Sequence, residues 1–114
     1  MPFNLDAYLG VHAAALNVRG QRTELLARNL ANADTPGYKA QDIDFRAALA
    51  RTGQAAEAPA TLKYRVPLAP SLDGNTVDVQ MEQAAFAENA VRFQATLSFL
   101  SARFRGLMTA ITGQ

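Results

Sequence analysis

"VQMEQAAFAENAVRFQATLSFLSARFRGLMTAIT", residues 79–112, carries the strongest periodicity in the chain. Val79, Gln83, Phe86, Ala90, Phe93, Leu97, Leu100, Phe104, Leu107 and Ile111 follow one another at alternating steps of four and three, and Gln83 is the one polar member. Such a sustained heptad seam is the pattern of a helix packed lengthwise on another helix. Asp78 just before the run can cap its N-terminus, and Gly113 just after it can take the left-handed conformation that closes a helix. At 1.5 Å per residue this helix spans roughly 50 Å.

The companion lies at the other end of the chain, over residues 4–33. Asn4 caps it and Asp6 sits favourably in its first turn. Wound at the helical angle, Asp6, Asn17, Gln21, Glu24 and Arg28 gather on one face. Leu5, Tyr8, Leu9, Val11, Leu16, Val18, Leu25, Leu26 and Leu30 spread over the rest. That apolar arc covers about half the circumference, wider than the stripe of roughly 100° a surface helix needs. A helix of this kind wants neighbours on more than one side. The expected fold is therefore mainly α: long terminal helices paired in coiled-coil fashion and joined by a loop-rich middle. The chain divides into an N-terminal helix (1–33), a turn and irregular middle (34–77) and a C-terminal heptad helix (78–114).

The middle is different in kind. "DIDFRAALAR", residues 42–51, reads as a short helix capped by Asp42 or Asp44, and "TLKYRV", 61–66, alternates as a short strand. "RTGQAAEAPA", 51–60, reads as a flexible connection, and "PLAPSLDGNT", 67–76, as loop and turn. This zone is expected to bury little by itself. Where the first helix ends, "NLANADTPGYKA", 29–40, stacks several stop signals. Asn32 is suited to a left-handed closing residue, Thr35 is pushed to an extended conformation by the proline after it, and Pro36-Gly37 fit the centre of a type II turn.

At 114 residues and a net charge of +1, the chain is one domain at most and offers no nucleic-acid footprint. No cysteine is present, which removes disulfides and thiol chemistry. "MPFNLDAYLG", 1–10, lacks the features of a cleaved secretory signal, and no apolar run is long enough to span a bilayer. His12, the only histidine, lies among Leu9 and Leu16 with no relay partner, so it is expected to pack and not to catalyse. Asp34, Asp42 and Asp44 do not match a calcium loop, and no glycine run forms a phosphate cradle. No catalytic, metal or cofactor site is expected, and the chain is not expected to be an enzyme.

"LLARNLANADTPGY", 25–38, resembles the N-terminal signature of the bacterial flagellar axial proteins, the rod and hook family, at Leu25, Leu26, Ala27, Asn29, Leu30, Ala31, Asn32, Thr35, Pro36, Gly37 and Tyr38. "AENAVRFQA", Phe104 within "RFRGL", and "DIDF" are similar to the proximal-rod members of that family, and the short chain agrees. Arg28, Gln80 and Phe93 depart from what relatives often carry. The resemblance implies a structural subunit of the flagellar basal body in the periplasm, exported by the flagellar type III apparatus without a cleaved signal. It implies assembly with copies of itself and with other rod proteins such as FlgC, and contact with the adaptor FliE and the MS ring at the rod base. Within it, Asn29, Leu30, Asn32, Thr35, Pro36, Gly37 and Tyr38 become candidate subunit contacts, and the heptad seam the helix-packing surface. The alternatives are another short rod protein such as FlgC, a periplasmic helical adaptor, or a cell-wall enzyme using Asp34 and Asp44.

Overall fold

Two long helices form the spine of the molecule, and a small cap of mixed structure folds back onto one end of it. In the computed structural model, residues 4–51 and 62–113 are described. The elements run α1 (Leu5–Ala31), β1 (Gln41–Ile43), α2 (Phe45–Ala50), β2 (Leu62–Tyr64) and α3 (Val79–Thr112). The connection expected over 51–60 lies, apart from Arg51, outside the described residues. The overall extents are 64 × 28 × 18 Å, the shape that two rods of this length impose.

The ends of α3 are set by the residues that flank it. Asp78 accepts from the Met81 N–H, and Gly113 closes the helix at φ 74°. α1 begins directly after Asn4 and is bent at Gly10, where φ 42° and ψ −121° leave the helical region. Only a glycine holds that conformation without a Cβ penalty. Nothing in the apolar pattern marks the bend.

α1 and α3 run antiparallel. The pairing is fixed by Asn29 against Glu82, Arg19 and Thr23 against Asn89, and His12 against Phe99, whose ring centroids are 4.5 Å apart. His12 is thus a packing residue, as its surroundings in sequence suggest.

The apolar core lies elsewhere. Val18 and Leu25 of α1 meet Ile43 and Ala48, with Phe45 packed against them. Phe45 also carries the Arg19 guanidinium 4.3 Å above its ring. The middle zone therefore buries more than its composition suggests, because β1 and α2 close over α1 instead of standing alone. β1 pairs antiparallel with β2 in the register Gln41 with Tyr64, Asp42 with Lys63 and Ile43 with Leu62. The two aspartates divide their work. Asp44 caps α2 by accepting from Ala47 N, while Asp42 lies inside β1 and makes ion pairs, so only one of the two is a cap.

Candidate functional site

The polar centre of the molecule is built around Asn29, which is fully buried near the C-terminus of α1. Its Nδ2 donates to the Gln41 carbonyl at 2.7 Å and to Glu82 Oε2 at 3.1 Å. Its Oδ1 accepts from the Tyr38 hydroxyl at 3.1 Å and from the Gln41 N–H at 3.2 Å. One side chain therefore ties α1, the turn, β1 and α3 together, with its donors and acceptor all engaged.

Glu82 is also fully buried, and its charge is met by Arg65. Arg65 Nε lies 2.5 Å from Oε1 as an ion pair outside hydrogen-bond angles, and Arg65 Nη2 reaches Asp42 Oδ2 at 3.0 Å. Arg22 grips the same Asp42 with both prongs, Nε to Oδ1 at 2.9 Å and Nη2 to Oδ2 at 3.0 Å. The result is a chain of alternating charge from Arg22 through Asp42 and Arg65 to Glu82, in the bidentate geometry for which arginine is suited.

Burial pushes the Asp42 carboxyl up, but the Arg22 hydrogen bonds, the Ile43 N–H and the charges of Arg22 and Arg65 outweigh it and hold it below its ordinary value. A carboxylate lowered on folding adds stability that is complete above its unfolded pKa and is lost as pH falls through the folded one. Asp44 and Asp73 are lowered in the same direction, Asp44 chiefly by Lys63 and Asp73 chiefly by the Asn75 N–H. The urea midpoint of the chain is thus expected to fall as pH drops below about 4. In Asp42→Asn that fall is shallower, because one of the three lowered carboxylates is gone. An unchanged slope in the variant would contradict the role given to this ion pair.

The helix stop is closed by side chains. No described non-glycine residue has positive φ, so Asn32 does not take the left-handed conformation. Instead its N–H and its Nδ2 both return to the Arg28 carbonyl, at 3.1 and 2.8 Å, and its Oδ1 accepts from the Thr35 hydroxyl. The carbonyls left over are taken by one distant residue: Asn75 Nδ2 donates to Asn32 O, Ala33 O and Thr35 O at 2.9, 3.0 and 2.8 Å. Gly37, at φ 74°, and the Tyr38 N–H to Thr35 carbonyl bond complete a turn of the type II kind around Pro36.

Of the signature residues, Asn29 is buried, Leu30, Asn32 and Tyr38 are partly buried, and Thr35, Pro36 and Gly37 are exposed. Along the heptad seam, Phe86, Phe93, Leu100 and Leu107 are partly buried, while Val79, Ala90, Leu97, Phe104 and Ile111 are exposed. The row beside the buried half is polar. Glu82 and Asn89 stand one heptad apart, and Asn89 Nδ2 donates to Arg19 O at 3.0 Å and to Thr23 Oγ1 at 2.8 Å. Glu82, Asn89, Arg65 and Asn75 were not singled out by the periodicity, which counts apolar residues only. The heptad spacing of Glu82 and Asn89 was the one available signal. Among the described residues no helix is long and apolar enough to cross a membrane.

A helical spine with a stop and turn closed in this way, and an apolar row left open along α3, gives the chain the build of a structural protein. The family model described as "Flagella basal body rod protein" matches residues 9–39, which hold most of α1 and the turn. The chain is 50% identical to the flagellar basal body rod protein FlgB of Cereibacter sphaeroides, over 93% of this chain and 94% of the relative. It is 44% identical to that of Salmonella typhimurium, over 96% of each, and 43% identical to that of Escherichia coli K12, over 94% of each. The chain belongs to the family of the flagellar basal body rod protein FlgB. It is a rod component of the motility apparatus and not an enzyme.

Proposed function

We propose that the chain is a subunit of the proximal rod, the drive shaft of the basal body, and that it assembles with copies of itself by helix packing around the export channel. The observation that carries this reading is the uncovered apolar surface of α3. Val91, Leu97, Phe104, Met108 and Ile111 are all exposed on a helix that, among the described residues, α1 covers along one side. Soluble monomers rarely leave such a surface open without a partner for it. The Asn29 centre and the Asn75 cage support the reading from the other end, since a rigid helix stop fixes where the chain departs relative to its neighbours. Thr35, Pro36 and Gly37 are the signature residues whose exposure suits subunit contact. Rod neighbours such as FlgC, the adaptor FliE and the MS ring at the rod base, periplasmic placement and passage through the flagellar type III apparatus without a cleaved signal belong to the same proposal.

A tagged chain expressed in place of the native copy is expected to co-purify with isolated basal bodies and to occupy the rod base in a cryo-EM map. Basal bodies that retain the other rod proteins but lack this chain would overturn the proposal. A single soluble stoichiometric complex in place of a helical array would favour an adaptor.

A further inference from the structure

We propose that successive copies of this chain meet through a heterologous contact, in which the 66–78 loop of one copy docks in the α1–α3 groove of the next. The inference rests on the rod-subunit role and names a surface for it.

The loop presents apolar side chains that the rest of the chain leaves uncovered. Val66 is 81% exposed and Leu68 80%, and Leu72 is fully exposed. The backbone of its second half, residues 71–76, is nevertheless tied down. Gly37 N–H donates to Asp73 O at 2.8 Å, Ser71 Oγ to Asn75 O at 2.5 Å and Lys39 Nζ to Gly74 O at 2.6 Å, while Asn75 is locked to the helix stop. Leu72, carried on this held half, loses little backbone freedom on binding, which lowers one of the main costs of association.

The receiving surface is at the other end of the molecule. Leu9, Leu100, Ser101, Phe104 and Arg105 line an open, mostly apolar groove of about 480 Å³. Exposed Leu97 and Met108 continue its apolar floor along α3.

Charge decides which surface meets which. On the α3 side, residues 89–112 carry Arg92, Arg103 and Arg105 and no carboxylate, and the α1 sequence adds Asp6 one turn before Leu9. Glu88, just before them, is paired with Arg92. The loop carries Asp73 and Asp78 and no basic residue, with Asp34 on the adjoining turn; of the cations beside it, Lys39 reaches the Gly74 carbonyl and Arg65 is paired with Asp42 and Glu82. Groove against groove sets arginines against arginines, and loop against loop sets aspartates against aspartates. Loop against groove pairs opposite signs, and like-charge juxtaposition is what rejects the wrong register. The two surfaces are separated by most of α3, roughly 37 Å at 1.5 Å per residue, so one copy cannot satisfy its own contact. A head-to-tail contact between different patches propagates instead of closing into a dimer.

The chain has no cysteine, so introduced thiols report cleanly. Leu72→Cys and Phe104→Cys chains are co-expressed in cells lacking the native copy, and their purified basal bodies are oxidised and immunoblotted. The 72–104 linked dimer is expected in about tenfold excess over 72–72 and 104–104 dimers. Arg105→Glu on the Phe104→Cys chain is expected to lower that yield about tenfold. Ser101→Cys, a one-atom change on the groove wall, serves as a second acceptor and is expected to give the same link. Basal bodies that contain both chains but show no link from 72 to either 104 or 101 overturn the contact while leaving the rod role intact. An Arg105→Glu yield equal to that of the parent overturns the charge argument. Absence of the wild-type chain from basal bodies overturns the rod role, and the contact with it.

Discussion

Glu82→Ala is expected to lower the unfolding free energy by roughly 3 kcal/mol, and Arg65→Ala by roughly 4. The two sides of this ion pair are not equivalent. Glu82 is fully buried, whereas the Arg65 side chain keeps 18% of its surface. Removing Glu82 leaves Arg65 with Asp42, and leaves Asn29 Nδ2 with the Gln41 carbonyl, so each orphaned group retains one partner. Removing Arg65 leaves a buried carboxylate facing only the Asn29 amide, and an uncompensated buried charge is the costlier remnant. Urea unfolding of the purified chain checks both values, with an unchanged m-value required for the comparison. The order matters more than the size. If Glu82→Ala cost more than Arg65→Ala, the buried carboxylate would not be the group that needs compensation.

The same residues show what the sequence could and could not tell. The two helices were legible because apolar spacing and capping residues agree: Asp78, Gly113 and the heptad steps all point to one element, and α3 spans Val79–Thr112. The type II turn was legible because Pro-Gly dictates its own geometry. The interior of the helix pair was not. Four of the nine apolar seam residues are partly buried, and the positions beside them that are fully buried are Glu82 and Asn89. Apolar periodicity locates the helix and its approximate face, but polar residues that find partners in another segment rotate the contact by one position. Those partners, Asn29 for Glu82 and Arg19 with Thr23 for Asn89, lie 53 to 70 residues away in the chain. No local rule connects them. β2 lies inside the alternation of 61–66 and α2 follows its Asp44 cap, so both were legible; β1, three residues long, was not, because it forms where Asp42 and Ile43 are held by α1. Asn75 is the clearest case. A loop asparagine beside glycine reads as a turn residue, yet its amide takes three carbonyls of the helix stop across a distance of 40 to 43 residues. The redundancy of stop signals around Asn32 is thereby explained, since they place carbonyls where one amide can collect them.

Leu97→Asp combined with Leu100→Asp is expected to abolish motility while the protein remains expressed. The two leucines stand on different rows of α3, so the double change strikes two functions. Leu100 is partly buried and lines the groove with Leu9 of α1, so an aspartate there places a charge against the helix pair. Leu97 is 39% exposed and one heptad before Phe104, on the row that α1 leaves uncovered. The single variants therefore separate the roles. Leu100→Asp is expected to destabilise the isolated chain by roughly 2 kcal/mol, because an unpaired charge enters an apolar contact. Leu97→Asp is expected to change its stability by less than about 0.5 kcal/mol, as surface substitutions do, and yet to stop swimming. Motility in soft agar, with immunoblots for expression and urea midpoints for stability, reads all three variants. Normal swimming by the double variant would mean that this part of α3 is not a packing surface in the rod. Normal swimming by Leu97→Asp alone would confine the packing to the α1-facing row, and the uncovered apolar row would then carry no subunit contact.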